Sequence, residues 1–420
     1  MLVYKFGGGI LTGPDGIKRM SEIIKSTHQK NKGEKIIIVV SALGKMTNAF
    51  EGLFREWKGD ISAASALDNI RDFHFDIGSA ILDRDMVSDI LSPLFARIAS
   101  LISGSFPKDP KRAYDQLVRY GELISAELIS AFLQKSGLDH KLINAGDLIV
   151  TDNNYTDAKV DWGETELRLR RRIGSNKGGG VFLTQGFIAR SRQGQPTTLG
   201  REGSDFSAAI IASVLNAREV IIWKDVPGIM TSDPAIFPDP VKLDQVSYIE
   251  AIELSYFGAK ILHPNTIKPL HNKAIPLSVR SIFSPGETGT LVTSDPLIDE
   301  EKPVIIIKPN QVLVSILPRD LSFIMEERLS DLFAYLSRNR IKSNLFQHSA
   351  VSISICIDYN ENLINRLVGD LIDEYRILYN PGLDLLTIRH YTPEVVEKYT
   401  LNRQVYVRQQ SRRTARFVLS

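Results

Sequence analysis

The segment IIIVV, residues 36–40, is the feature that most constrains the fold, because five consecutive apolar residues branched at the β-carbon leave no polar face. A strand of this kind is buried on both sides, as in a parallel sheet covered by helices. A strand pattern (LVYKF, 2–6) and a segment with helical spacing (PDGIKRMSEIIKS, 14–26) precede it. The order strand, helix, strand predicts a β-α-β unit and therefore an α/β domain.

The same organisation continues to about residue 295. Residues 46–135 are predicted to be mostly helical. Strand patterns then return in three segments, HKLIN (140–144), GVFLTQGFIA (180–189) and REVIIW (218–223). Residues 284–303 are rich in Gly, Pro, Ser and acidic residues, which is typical of a domain boundary. We therefore predict a catalytic-type α/β domain over 1–295 and a linker over 296–310.

Shorter units follow the boundary. Residues 311–380 show the order β-α-β-β-α-β, with apolar residues at helical spacing between Met325 and Leu336. Residues 381–420 show a shorter order, β-α-β-β. A chain of 420 residues commonly forms two or three domains, so these patterns predict two small α+β modules, the second of them shortened.

Composition excludes several classes of function. A formal net charge of +2 gives no reason to expect a nucleic-acid or membrane partner. Cys356 is the only cysteine, which excludes an intramolecular disulfide and any site with several thiolates, and the histidines lack metal-ligand spacing. No apolar run approaches the length of a membrane span, and the N-terminus lacks the order of a secretory signal. We expect a protein of the reducing cytoplasm.

Two glycine-containing loops follow the first two strands. In YKFGGGI, Gly7 and Gly8 allow a ligand to approach the backbone and Lys5 adds a positive charge, which suits phosphate oxygens. In SALGKMTN, Ser41 and Thr47 supply hydroxyls where parallel sheets bind ligands. The alternatives are a simple glycine turn and a helix N-cap at Thr47. Neither a Walker A loop nor GxGxxG occurs in the chain.

Two helix starts carry charged residues. Glu122 in YGELISA stands in the first turn of an apolar helix, where it binds a substrate ammonium or only stabilises the helix dipole. In LGREGSDFSAAII, we predict Ser204 as the N-cap and Arg201 as a fork for a carboxylate. Asp205 is interpreted as the partner of a cation. WKDVPGIMTSDP (223–234) and FGAKILHP, with Lys260, are each by themselves more typical of structural turns.

Taken together and in this order, KFGG, SALGKMTN, GELISA, TTLGREGSD, KDVPGIMTSDP and FGAKILHP resemble the motifs of the aspartokinase branch of the amino-acid kinase family, over residues 5–264. The modules after residue 310 are similar to the paired ACT domains of such enzymes. The resemblance implies an amino-acid kinase fold, a parallel-rich sheet sandwiched by helices, followed by two ACT-like modules. It also implies phosphorylation of the side-chain carboxylate of L-aspartate by ATP with Mg²⁺, the entry to lysine, threonine and methionine synthesis.

Roles for individual residues come with the resemblance. The catalytic residues would be Lys5, Asp205 and Lys260. Aspartate would be bound by Ser41, Thr47, Glu122, Arg201 and Ser204. ATP would be bound by Lys5, Gly7, Gly8, Gly203, Trp223, Lys224, Asp225, Asp233 and Lys260. The metal ligands stay open. Lysine or threonine would be the effector, and the ACT modules would form a dimer.

The chain departs from the family pattern in three places. Gly9 and Ile10 replace the Thr and Ser of KFGGTS, and Glu202 replaces the second glycine of GRGGSD. The segment ILPRDLSFIMEERL (316–329) lacks the glycine-rich turn at which ACT domains usually bind an amino acid. Two alternatives therefore remain beside an active aspartokinase. One is a kinase for another carboxylate, such as glutamate or acetylglutamate, and the other is a non-catalytic, regulatory member of the fold.

Overall fold

The computed structural model describes six stretches of the chain, residues 1–59, 63–175, 178–259, 262–295, 302–320 and 322–420. The chain divides into two compact units. The first unit comprises Met1–Ile229, Lys242–Ile252 and Ile261–Asp299. The second comprises Met230–Val241, Glu253–Lys260 and Glu300–Ser420.

The first unit is built on a sheet that is parallel except for one pair of strands. The strands of the first unit are β1 (Leu2–Phe6), β2 (Lys35–Val40), β3 (Lys141–Leu142), β4 (Val150–Thr151), β5 (Gly180–Gln185), β6 (Ile188–Ser191), β7 (Pro196–Thr198), β8 (Glu219–Lys224), β9 (Gln245–Ser247), β10 (Leu277–Ser281) and β11 (Thr290–Thr293). Over the described ranges the main sheet has the order β3-β5-β2-β1-β8-β10-β11-β9, and β4, β6 and β7 form a small second sheet. Only the β10–β11 pair of the main sheet is antiparallel.

Helices surround this sheet. From the N-terminus to residue 271 they are α1 (Pro14–Lys30), α2 (Met46–Lys58), α3 (Ala64–Ile81), α4 (Arg84–Ser103), α5 (Pro110–Val118), α6 (Tyr120–Lys135), α7 (Trp162–Leu169), α8 (Gly203–Leu215), α9 (Tyr248–Phe257) and α10 (Pro264–His271). A single 3-10 turn (Gly8–Ile10) follows β1, and a π-helical turn (Arg170–Gly174) extends α7.

The predicted buried strand lies in the middle of this core. All five residues of IIIVV are 0% exposed, and β2 pairs in parallel with β1 on one side and with β5 on the other. Strand β1 in turn pairs with β8. The predicted α/β class is therefore confirmed. GVFLTQGFIA is not one strand, because Gly186 and Phe187, the latter with φ +67°, separate β5 from β6.

Helix α4 departs from the expectation that no apolar run is long enough to cross a membrane. It has 20 residues and, by length and composition alone, would suffice for a span. Its residues Val87, Leu91, Phe95 and Ile98 are spaced by three or four positions, and all are buried in the core of the first unit. This spacing places one apolar stripe of the helix against the core.

The second unit contains one antiparallel sheet. Its strands are β12 (Val304–Pro318), β13 (Ser343–His348), β14 (Ile353–Asp358), β15 (Tyr375–Arg389), β16 (Val405–Gln410) and β17 (Thr414–Leu419), and its later helices are α11 (Glu326–Arg338), α12 (Glu361–Leu371) and α13 (Pro393–Thr400). In the described part the strand order is β13-β14-β12-β15-β17-β16. Helices α11 and α12 pack on Val312, Val314 and Ile316, and α13 packs near Leu386 and Ile388.

The two predicted modules share strands of this sheet. Strand β12 is continuous across residue 310 and β15 is continuous across residue 380. The first half of β12, Val304–Lys308, pairs with the second half of β15. The shortened second module thus has a strand partner in residues that we assigned to the linker. The boundaries at 295, 310 and 380 stay predictions, and residues 296–301 lie outside the described ranges.

Candidate active site

The candidate site of the first unit lies where β1, β2 and β8 end. These three neighbouring strands are parallel, so Phe6, Val40 and Lys224 end at the same edge of the sheet. The chain leaves β1 toward β2 on one side, while β8 lies on the other side of β1. A change of direction of this kind opens a crevice at the carboxyl edge, the usual binding place of open α/β sheets.

Lys5 and Asp205 form a buried ion pair at this edge. Lys5 is in β1 and Asp205 is in the first turn of α8, and the Nζ–Oδ1 distance is 2.6 Å. The two side chains are only 10% and 7% exposed. Two buried charges of opposite sign stabilise each other, whereas either one alone would be costly. Lys5 is therefore not a solvent-exposed loop lysine but a charge fixed in the sheet.

The three glycines of the turn after β1 have different surroundings. A β-carbon on Gly8 would lie 2.5 Å from the Ala42 oxygen, and one on Gly7 would lie 3.3 Å from Lys5 Nζ. Gly9 is exposed, with nothing within 4 Å of its added β-carbon, whereas Ile10 is 5% exposed and belongs to the core. The two departures from KFGGTS thus differ: position 9 is open to a side chain, and position 10 is filled by an apolar one.

Glu122 is buried beside the loop after β2. It is 2% exposed and lies in the first turn of α6, and the Ala42 N–H and the Thr47 hydroxyl beside it act to lower its pKa. Burial raises the pKa of Glu122 to about 8, while Lys5 acts in the opposite direction. Its Oε2 has no hydrogen-bond partner among the described residues. A buried carboxylate oxygen without a donor is a suitable acceptor for an ammonium group.

The surroundings of Glu122 change the interpretation of Thr47 and show a contact of Ser41. Helix α2 begins at Met46 with Lys45 at the N-cap, so Thr47 does not cap that helix, and its hydroxyl acts to lower the pKa of Glu122. Ser41 is half-buried, and its carbonyl oxygen accepts a hydrogen bond of 2.7 Å from Ser125 Oγ. Sequence analysis missed Ser125. The signal was its place in GELISA, three positions after Glu122 and thus on the same face of α6.

The start of α8 differs from the prediction. The helix begins at Gly203 and its N-cap is Glu202, with φ +54°, so the prediction of Ser204 as the N-cap was wrong. The physical reason is the left-handed backbone at Glu202, which turns the chain into the helix two residues earlier than predicted. Ser204 is buried one position inside the helix, while Arg201 and Glu202 are exposed.

Gly203 is required by protein packing. An added β-carbon would lie 2.8 Å from the ring of Phe187 and 3.2 Å from Leu199. A β-carbon on Gly186 would lie 2.4 Å from Ser204, so the turn after β5 also packs tightly against the first turn of α8. The missing side chain of Gly203 thus faces the protein, and its backbone N–H donates to the Gly200 oxygen at 3.0 Å.

The end of β8 contributes charge through Lys224. Its side chain is half-buried, and burial lowers its pKa, while Asp205, Glu202 and Asp225 act in the opposite direction. The neighbouring Trp223 is 2% exposed and stacks on Phe6 with ring centres 6.0 Å apart. The side chain of Trp223 therefore belongs to the core, and only its backbone reaches the strand end.

Of the remaining predicted site residues, Asp233 lies elsewhere and Lys260 is not described. Asp233 lies in the second unit, where its carboxylate accepts a hydrogen bond of 2.9 Å from the Ala235 N–H. Lys260 lies outside the described residues, so its predicted role stays a prediction. Within the described ranges no group of three or more His, Cys, Asp or Glu side chains is arranged to hold a metal ion.

The backbone at Glu202 generates a prediction. A residue with a β-carbon costs about 1–2 kcal/mol in the left-handed region, whereas glycine loses about 0.5–1 kcal/mol of chain entropy. Glu202→Gly and Glu202→Ala both remove the charge, but only the first relieves the strain. We expect Glu202→Gly to be more stable than Glu202→Ala by about 0.5–1 kcal/mol in urea unfolding. An alanine variant of equal or higher stability would contradict the left-handed assignment.

Comparison with known proteins agrees with this geometry. The model of the amino acid kinase family matches residues 1–281. The bifunctional aspartokinase/homoserine dehydrogenase 2 of Arabidopsis thaliana is 36% identical over 304 residues, which are 70% of this chain and 32% of that protein. The chain thus spans about a third of the length of this curated relative. The lysine-sensitive aspartokinase 3 of Escherichia coli is 30% identical over 366 residues, 85% of this chain and 78% of that protein.

A solved structure extends the similarity to both units. Escherichia coli aspartokinase III in complex with aspartate and ADP superposes with a TM-score of 0.82 and 26% identity, over 100% of this chain and 96% of that chain. The predicted amino-acid kinase fold with ACT-like modules is thereby confirmed. The chain belongs to the amino acid kinase family, within its aspartokinase branch.

Proposed function

We propose that the protein is an aspartokinase, which transfers the γ-phosphoryl group of ATP to the side-chain carboxylate of L-aspartate and releases 4-phospho-L-aspartate and ADP. One observation carries the proposal. The same sheet edge holds a buried, paired ammonium at Lys5 and a buried carboxylate oxygen of Glu122 for which the described residues supply no donor. The first suits phosphate oxygens and the second suits the ammonium group of an amino acid.

The comparisons support the same substrates. A relative of Escherichia coli is named a lysine-sensitive aspartokinase, and the superposed structure holds aspartate and ADP. Glu122, Thr47 and Lys5 lie in the motifs on which the family resemblance rests. The first unit of this chain therefore has both the fold and the charged groups that the proposed reaction needs.

The chemistry requires positioning and charge neutralisation. A carboxylate oxygen of aspartate attacks the γ-phosphorus, the bond from that phosphorus to the bridging oxygen breaks, and the electron pair leaves with ADP. An ionised carboxylate is already a nucleophile at neutral pH, so the site needs no general base. Lys5 and Lys224 would stabilise the charge on the phosphates, and Arg201 would hold the other carboxylate of the substrate.

Mg²⁺ is the expected companion of ATP. This ion usually binds through one or two carboxylates together with substrate phosphates, not in a cage made of protein alone. The carboxylates at the strand ends fit that mode. Asp205 and Asp225 lie near Lys224, whose pKa both of them act to raise, and no larger acidic cluster is found within the described ranges. Asp205 and Asp225 would hold the ion, which would supply neutralisation of the phosphate charge.

Gly9 and Ile10 remove two hydroxyls without removing the phosphate site. The backbone still forms a 3-10 turn at Gly8–Ile10, in which the Ile10 N–H donates to the Gly7 oxygen at 3.2 Å. We infer that Gly7 and Gly8 serve ATP through close backbone approach and that the missing Thr and Ser lower turnover without abolishing it. A non-catalytic role of the fold is the alternative that these two departures raise.

The second unit supports a regulatory proposal. We infer that lysine or threonine acts as the effector, that copies of the chain form a dimer through the ACT-like modules, and that the product feeds lysine, threonine and methionine synthesis. Support for lysine comes from the name of the Escherichia coli relative. The free, buried Cys356 suits a reducing compartment, and we place the protein in the cytoplasm, without a membrane or nucleic-acid partner.

The kinase proposal predicts a trapped product. Protein, ATP, Mg²⁺ and L-aspartate with hydroxylamine are expected to yield aspartyl hydroxamate. The double variant Lys5→Gln/Asp205→Asn removes both buried charges together, which avoids an unpaired one. We expect its rate to fall by about 10²–10³-fold, the usual cost of a lost transition-state contact.

The matched control is Lys135→Gln/Asp83→Asn, an exposed pair with the same two changes. It should keep the wild-type rate. Wild-type protein that binds ATP but traps no aspartyl hydroxamate would support the non-catalytic alternative, and trapping with glutamate or acetylglutamate instead would support another substrate.

The raised pKa of Glu122 predicts that aspartate binds more tightly as pH rises. Below about pH 8 the free carboxyl is protonated, so pairing with the aspartate ammonium requires release of a proton. The dissociation constant should fall by up to about tenfold per pH unit from pH 6 toward 8 and then level off. Calorimetry of aspartate binding at several pH values measures this.

Glu122→Gln is the control for the pH experiment, because it keeps the shape and removes the titration. It should bind aspartate weakly at every pH and show no slope over this range. A slope of the same size in Glu122→Gln would assign the pH dependence to another group.

A further inference from the structure

One buried carboxylate of the first unit, Asp115, has no place in the reaction described above. Asp115 lies in α5 and is 0% exposed. Burial raises its pKa to about 6, and the nearby Asp109 acts in the same direction. At neutral pH the group is therefore an anion, and the described residues provide it with hydrogen-bond donors and no salt bridge within 4 Å. A buried charge held in this way is costly unless each oxygen is satisfied.

The donors to Asp115 come from two separate segments. Thr198, at the end of β7, donates its N–H at 3.1 Å and its hydroxyl at 2.7 Å. Thr156 donates its N–H to both oxygens, at 3.2 and 3.0 Å. Thr156 has φ +74°, an uncommon backbone conformation for a residue branched at the β-carbon. The carboxylate thus ties a strained turn to the end of a strand.

These two segments meet again beside the loop that carries Arg201. The Ala158 N–H donates to the Thr198 oxygen at 3.0 Å. Gly200 has φ +74°, and a β-carbon on it would lie 2.8 Å from Asp157 Oδ1 and 3.4 Å from the Thr156 oxygen. The Gly200 oxygen accepts the Gly203 N–H at 3.0 Å, which closes a turn around Arg201. The turn at 153–157 therefore packs directly against the loop that carries Arg201.

We infer that Asp115 is a positioning residue that fixes the Arg201 loop through Thr156 and Thr198 and thereby sets the affinity for the carboxylate of the substrate. The inference rests on the proposed function, in which Arg201 holds an aspartate carboxylate. Asp115 does not itself reach the substrate. Its contribution is a fixed backbone for an exposed arginine whose long side chain would otherwise lose more freedom on binding.

The test compares Asp115→Ala with Asp109→Ala. Asp115 lies in α5, and Asp109 is the exposed N-cap of the same helix, whose carboxylate accepts from the Lys111 and Arg112 N–H groups. In the hydroxamate assay we expect Asp115→Ala to raise KM for aspartate by about tenfold or more, equivalent to about 1.4 kcal/mol, with KM for ATP within twofold. Asp109→Ala should leave both KM values unchanged.

Two further variants sharpen the result. Asp115→Asn keeps one oxygen that can accept the two N–H groups, so it should restore KM for aspartate to within about threefold of wild type. Thr198→Val removes only the hydroxyl donor, should fold even if Asp115→Ala does not, and should raise KM for aspartate by severalfold. Equal changes in both KM values, or a loss of stability with KM for aspartate unchanged, would overturn the inference.

Hydrogen–deuterium exchange separates this inference from the proposed function. The amides of Thr156 and Thr198 donate to Asp115, so their exchange should accelerate by tenfold or more in Asp115→Ala and stay at the wild-type rate in Asp109→Ala. Wild-type protein without aspartate kinase activity would contradict the proposed function, whereas unchanged exchange of these amides in Asp115→Ala would contradict the positioning role.

Discussion

The buried ion pair between Lys5 and Asp205 is the constraint on which the candidate site depends. Lys5 stands in β1, between β2 and β8, and Asp205 stands in the first turn of α8. Removing either charge would leave the other one buried without a partner, at a cost of several kcal/mol. The pair therefore fixes the helix start relative to the sheet and holds an ammonium group at the carboxyl edge of the strands.

Close backbone approach completes the site around this pair. Gly8 lies against the Ala42 oxygen, Gly186 against Ser204, and Gly203 against Phe187. In each case a β-carbon would come within 3 Å of a neighbouring atom. Gly8 therefore lets the loops after β1 and β2 meet, and Gly186 and Gly203 let the loop after β5 meet the start of α8. The charged groups at this edge of the sheet come from separate sequence motifs. For the proposed kinase reaction this arrangement requires no histidine, because lysines and backbone would meet the phosphate charge.

Much of this architecture could be predicted from the sequence. IIIVV predicted a buried parallel strand. Lys5 lies in a strand, and Glu122 and Asp205 lie in the first turns of helices, all of them elements that sequence patterns locate well. The failures have a common physical cause, since they depend on tertiary contacts. Ser204 has the chemistry of an N-cap, but the left-handed backbone of Glu202 moved the helix start. Sequence patterns did not identify Asp115, because its hydrogen-bond donors are 41 and 83 residues away along the chain.

The most direct test of the account is a crystal structure of the protein with L-aspartate and an ATP analogue that does not react. The account predicts the aspartate ammonium within hydrogen-bond distance of Glu122 Oε2 and the phosphates against Lys5, with Arg201 on an aspartate carboxylate. Aspartate bound away from Glu122, or phosphates bound away from the ends of β1 and β8, would contradict it.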